Sequence, residues 1–152
     1  MRSGLLFLSL WLLPAGAILA APPGESHAQP QPSPAGYVFD ITVQNVEQLD
    51  AILNRADQLK GQFTRNDFGR IELVLHGMEL NLFRKKNYDK YMSIVEKARA
   101  LDEQNLVDIK ACQTVMQSLM IDQSELPDFI EQIPYAPAEI DRLEIEKRFT
   151  RL

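Results

Sequence analysis

The sequence predicts an α/β fold, a three-layer α/β/α sandwich built on a mostly parallel sheet of about four or five strands. Three observations carry this. From Tyr37 onward, stretches with strand character alternate with stretches of helical periodicity. Ile71-Glu72-Leu73-Val74-Leu75 is a nearly unbroken aliphatic run, the pattern of a strand covered on both faces, as parallel strands are. The first strand-like segment leads straight into a capped amphipathic helix, the opening half of a βαβ unit.

The segments follow in order. Tyr37-Val38-Phe39-Asp40-Ile41-Thr42-Val43 alternates and is rich in β-branched and aromatic residues, so it predicts the first strand. Asn45 stands where an N-cap belongs, and Gln48 is placed to return the hydrogen bond. Val46, Leu49, Ile52, Leu53, Ala56 and Leu59 then recur at helical spacing, with Gly61 as the stop. Residues 62–69 read as a polar loop, and residues 71–75 as the second strand.

Residues 78–83 suit a short helical turn ahead of Arg84-Lys85-Lys86, which reads as a solvated loop. A helix over 89–101 presents Tyr91, Ile94, Val95, Ala98 and Leu101 on one face, with Asn105 as a left-handed cap. The third strand, 106–111, sets Val107, Ile109 and Ala111 against Asp108 and Lys110, so it is expected near an edge or on a half-solvated face. Cys112 shares the parity of Asp108 and Lys110, which predicts a thiol that solvent reaches. Short helices are predicted over 114–120 and over 124–130, the latter capped by Ser124 with Pro127 in its first turn. Residues 131–135 suit a fourth strand. Pro137 fits N1 of a last helix that buries Ile140 and Leu143 and pairs Glu144 with Arg148 outward.

Before this domain, residues 1–28 read as a secretory signal: Met1-Arg2, an uncharged run from Gly4 to Ala21, then small residues. Cleavage fits after Ala20 or after Ala28. The alternative is an uncleaved membrane anchor, since the run approaches the ~18-residue lower limit for a spanning helix. Residues 29–36 hold Pro30, Pro32 and Pro34 and form a tether. The domain is then 37–152, and the expected location is periplasmic or secreted. Loss of Arg2 and Glu25 with the leader keeps the formal charge at −5, which gives no footprint for nucleic acid or an anionic membrane.

A single cysteine excludes an internal disulfide, so the fold rests on its hydrophobic core. The thiol is buried and inert, paired between chains, or reactive. Cys112 ends a strand just before a helix begins, where unpaired backbone N–H groups and the helix dipole stabilise a thiolate, and the thiolate is the nucleophile. His76 ends the preceding strand, and the carboxyl ends of parallel strands are where ligands bind. It either orients a ligand or assists the thiol, or it is a partly buried histidine bonded to backbone beside Gly77, itself a turn residue. His76 and Glu79 have the spacing of a helical ligand pair, but with Cys112 they make too small a set, so no metal is expected. Phosphate loops, serine elbows and CxxC pairs have no match in the sequence, and no cofactor is expected.

The segment Ile71-Glu72-Leu73-Val74-Leu75-His76-Gly77, followed by a strand ending in Ala111-Cys112-Gln113, resembles the DsrE/DsrF-like family. Glu125-Leu126-Pro127, Ile133-Pro134 and Glu139-Ile140-Asp141-Arg142-Leu143 extend the resemblance over roughly residues 37–145. It implies a flavodoxin-like domain assembled as trimers or hexamers. Members of the family relay sulfur through a cysteine, and Cys112 matches the family's cysteine after the third strand, so the resemblance implies a sulfur-binding thiol and no further. On that footing Cys112 is the candidate for a sulfurtransferase-like persulfide carrier, with His76, Gly77 and Gln113 as candidate binding positions at the same end of the sheet. The partner is then a sulfur donor or acceptor protein, or a small sulfur species. Two departures stand out: Tyr135-Ala136 replaces a glycine common after the Ile-Pro pair, and Lys147-Arg148-Phe149-Thr150-Arg151-Leu152 replaces the usual Gly-Tyr segment, so an incomplete fifth strand is expected. The alternative reading is a non-catalytic small-ligand or protein-interaction module using the same end of the sheet.

Overall fold

A computed structural model describes residues 34–63, 70–105 and 107–152. The predicted leader 1–28, most of the Pro-rich tether 29–36, much of the loop 62–69 and Leu106 lie outside the described residues. Among those described, no helix is long and apolar enough to cross a membrane.

The chain runs β1 (Gly36–Ile41), α1 (Val46–Lys60), β2 (Ile71–Leu75), α2 (Tyr88–Asp102), β3 (Val107–Cys112), α3 (Gln113–Ser118), β4 (Glu131–Ile133), α4 (Ala136–Ile145) and β5 (Phe149–Arg151), with 3-10 turns at Met78–Phe83, Lys85–Asn87 and Gln123–Glu125. All strand pairs are parallel, in the order β4-β3-β2-β1-β5. This is the predicted α/β sandwich. Strands β1 to β4 step across the sheet in one direction, and β5 returns to the far side of β1. The order therefore reverses at β1, the kind of switch point beside which ligands bind in open sheets.

The register separates two unlike faces. Tyr37, Phe39 and Ile41 align with Ile71, Leu73 and Leu75, and these with Val107, Ile109 and Ala111. This apolar face meets Leu49, Leu53, Ala56 and Leu59 of α1 and Ile94, Val95, Ala98 and Leu101 of α2, forming the larger core. The opposite face carries Val38, Val74, Cys112 and Ile133, which pack with Ala136, Ile140 and Leu143 of α4 in a smaller cluster. Interleaved with these four are Asp40, Glu72, Asp108 and Lys110, so this face is half polar by sequence.

Local signals account for most element ends. The Asn45 side chain accepts from Gln48 N–H at 2.9 Å, and Gln48 Oε1 accepts from Gln44 N–H at 3.2 Å, one residue earlier than a capping box would have it. Gly61 ends α1 in ordinary right-handed geometry (φ −63°), so glycine is not demanded there. Asn105 takes the left-handed conformation after α2 (φ 56°). α4 begins at Ala136, with Pro137 one position further in than N1 and still in the first turn, where its missing N–H costs nothing.

The structure corrects the sequence reading of several segments. Residues 124–130 do not form a helix: Asp122, not Ser124, caps a single 3-10 turn, and Leu126 is extended (ψ 153°), as the residue before a proline is driven to be. The fourth strand stops at Ile133. Glu144 pairs with Arg151 (3.7 Å) instead of Arg148, which lies beyond the helix at positive φ. Arg84 is no solvated loop residue, because its guanidinium forks onto Glu125 at 2.8 and 2.7 Å. The fifth strand forms as a short stub of three residues, and Gly36 leaves room for the Phe149 ring against β1; a Cβ there would come within 2.6 Å of the ring.

β2 is the central strand, and all five of its residues are buried. Leu73→Ala is therefore expected to cost about 2–5 kcal/mol in urea unfolding, whereas Ile145→Ala, at a position 78% exposed, should stay within about 0.5 kcal/mol.

Candidate functional site

The carboxyl end of the sheet carries the residues singled out by sequence. Leu75 and Ala111 are paired in register, so His76 and Cys112 are the next residues along adjacent strands. Both follow the parity of the polar face, yet their side chains are committed in different directions, and no hydrogen bond joins them.

Cys112 is 1% exposed, against the expectation of an accessible thiol. β3 lies between β2 and β4 instead of at an edge, and the face shared by Asp108, Lys110 and Cys112 is roofed by α4. The thiol sits among Val74, Ile133, Ala136 and Ile140. Its Sγ accepts a hydrogen bond from Ala136 N–H at 3.4 Å. Ala136 opens α4, and Tyr135 before it supplies no side-chain cap, so the sulfur occupies the place of a capping acceptor. The chain that follows Cys112 enters α3, but the helix terminus that addresses the sulfur is that of α4. Pro134 is held by Thr114 Oγ1, which donates to its carbonyl at 2.9 Å, and the neighbouring Tyr135 is 54% exposed.

His76 turns toward β1. Its Nε2 meets Asp40 Oδ1, while Asp40 Oδ2 takes Arg151 at 2.7 Å. The histidine backbone N–H donates to Ile41 O at 3.1 Å. A His–Asp pair backed by an arginine thus stands at the switch point between β1 and its two neighbours. The carboxylate fixes the imidazole orientation, as it does in general-base dyads.

Gly77 is explained by space and not by φ, which is −140°. A Cβ there would lie 2.6 Å from Glu79 Oε2 and 3.0 Å from Thr42 Cα. Glu79 is 1% exposed and uses its two oxygens on Gly77 N–H (2.7 Å) and Val43 N–H (3.1 Å), clasping the β2 turn to the loop after β1. Burial raises its pKa, against the pull of these N–H groups and of His76. Glu79 and His76 therefore serve different partners despite their helical spacing. Gln113 begins α3 and lines a small hollow of about 200 Å³ with Met116 and Ile121, apart from His76.

Below Cys112 on the same face lies a buried charge network that sequence reasoning missed. Lys110, 6% exposed, reaches Glu139 of α4 at 2.7 Å, Glu72 of β2 at 3.1 Å and Glu131 of β4 at 3.7 Å. Arg142 completes it with two hydrogen bonds to Glu139 at 2.8 and 2.7 Å. Burial drives the Glu72 carboxyl up to about 7, only partly countered by Lys110. Arg142, then Lys110, hold Glu139 down at about 2. Burial alone would lower the Lys110 pKa, but the carboxylates around it raise it on balance. The signal was present: an acid inside a fully buried aliphatic strand requires a buried counter-charge on a neighbouring strand.

No family profile matches the chain, and no curated protein matches it. Among solved structures it is similar to a protein of unknown function, MTH1491, from Methanobacterium thermoautotrophicum, with 20% identity and a TM-score of 0.61 over 76% of this chain and 96% of that one. The likeness is one of fold.

Two outcomes test this geometry. Gly77→Ala should destabilise the fold by about 1–3 kcal/mol in urea unfolding, because the added methyl dislodges a buried carboxylate from its donors. The second outcome concerns pH: folded Glu72 takes its proton near pH 7, but the unfolded residue does so near 4.5, so the folded state binds more protons between these values. Stability should therefore fall as pH rises through that window. Unfolding midpoints measured across it should fall less steeply in Glu72→Gln.

Proposed function

We propose that this chain is an exported DsrE-like sulfur carrier, in which Cys112 takes up one sulfur atom as a persulfide and passes it on. The observation that supports the reading is the hydrogen bond from Ala136 N–H to Sγ at the first turn of α4, at the carboxyl end of the sheet. The sulfur thus faces a backbone donor and the positive end of a helix, surroundings that reactive thiols share, while the apolar cluster around it works in the opposite sense. The thiolate attacks a sulfane sulfur of a polysulfide. One S–S bond forms on Cys112, the donor's S–S bond breaks, and the donor departs as a thiolate one sulfur shorter, with no external oxidant or reductant. Attack by an acceptor thiolate on the outer sulfur reverses the loading and frees Cys112.

Because the thiol is buried in the single chain, loading requires residues 134–136 to move outward, and exposed Tyr135 marks where a donor or acceptor would approach. The partner is a sulfur donor or acceptor protein or a small sulfur species. The working form is a homo-oligomer, a trimer or hexamer, in the periplasm or outside the cell. His76, on the strand next to the thiol's, serves with Asp40 as a binding element at the rim beside Gly77, and Gln113 adds a separate position at the start of α3.

A second reading is favoured by the burial itself: Cys112 as a core residue in a non-catalytic ligand or protein-interaction module. Polysulfide treatment followed by intact mass analysis separates the two. The carrier reading expects a gain of one sulfur atom, absent in Cys112→Ser and faster in sub-denaturing urea. If the folded protein stays unmodified while a control thiol reacts, the carrier reading fails and the module reading stands.

A further inference from the structure

Away from the carboxyl-end cluster, α2, the turns before it and the loop before β4 line an open cleft of about 470 Å³, a size typical of small-molecule sites. Its walls are aromatic: Phe83 is almost fully buried behind it, and Tyr88 and Phe129 flank it. The kink of α2 at Tyr91, where φ is −120°, folds the first turn back so that Tyr88 OH donates to Glu96 at 2.8 Å. This fixes the phenol as a wall.

Arg99 is the cation of this wall: it pairs loosely with Glu96 and keeps one buried nitrogen, Nε, without a partner among the described residues. Its guanidinium carbon lies 5.5 Å from the centre of the Phe129 ring, a stacked placement. Among the described residues its side chain makes no hydrogen bond; Glu96 stands 3.5 Å from one terminal nitrogen, and Nε is buried with no partner. Arg84, by contrast, donates from Nε and one terminal nitrogen to Glu125 and from the other to Asn81 Oδ1. An arginine placed over an aromatic ring, with Nε free and only one long ion pair to Glu96, suits a planar carboxylate. The other charges at the mouth are Lys85 with Asp128, which face each other at 3.4 Å and offset one another, and Glu103.

We propose that this cleft binds a small aromatic carboxylate, its ring between Tyr88 and Phe129 and its carboxylate on Arg99. Arg99 turns toward the ligand, whose carboxylate supplies the acceptor that Nε lacks and competes with Glu96 for the terminal nitrogen. Glu103, at the mouth, opposes a second negative charge, so monocarboxylates are preferred. The site is independent of Cys112.

Isothermal titration of the full chain with 3-phenylpropionate, 3-phenylpropylamine and propionate tests this. Expected is millimolar or tighter binding of 3-phenylpropionate alone. Arg99→Gln should weaken it by roughly tenfold or more, and Glu103→Gln should strengthen it. The proposal is overturned if 3-phenylpropionate does not bind, if the amine binds as well, or if Arg99→Gln, shown by circular dichroism to be folded, binds with unchanged affinity.

Discussion

Lys110 pins the polar half of this structure together. Its ammonium group is shared by carboxylates from β2, β4 and α4, and almost no water reaches it. A buried cation tolerates that position only while its counter-charges stay in place, since loss of one partner leaves an uncompensated charge in the interior. α4 is thereby fixed on the sheet in one position. From that position follow the meeting of Ala136 with the Cys112 sulfur and the delivery of β5 to the open side of β1.

The two faces of the sheet reach stability by different routes. The α1/α2 face is an apolar layer in which shape and area dominate. The α4 face has a small apolar cluster, and charge pairing supplies the rest of its order. At the carboxyl end this division has a chemical result. The face that holds Cys112 also holds Asp40, which draws His76 toward β1 and Arg151, while α4 draws the sulfur under its first turn. Two side chains adjacent in register thus belong to separate local environments.

Much of the architecture was legible in local pattern. The aliphatic run of β2 gave a central strand, Asn45 gave the start of α1, and Asn105 gave the left-handed exit from α2. What misled was the meaning of polarity. The alternation of Asp108 and Lys110 with Val107, Ile109 and Ala111 has the form of a strand half in water, yet Lys110 is buried against acids that lie far away in sequence. Cys112 inherited the same error. Likewise Ser124 and Pro127 compose a plausible helix start, but Arg84 holds Glu125 from across the structure and Leu126 is extended before the proline.

The sequence by itself determined the alternation of strands and helices as far as β3, a second strand covered on both faces and the candidate residues at strand ends, because periodicity and capping are written in neighbouring positions. Only the tertiary structure decided which way those residues face, that the lone thiol lies under α4, that His76 answers to Asp40, and that Glu72 and Lys110 neutralise each other inside. Those outcomes depend on long-range partners whose charges and shapes meet only after the sheet has closed, and no local pattern encodes that meeting.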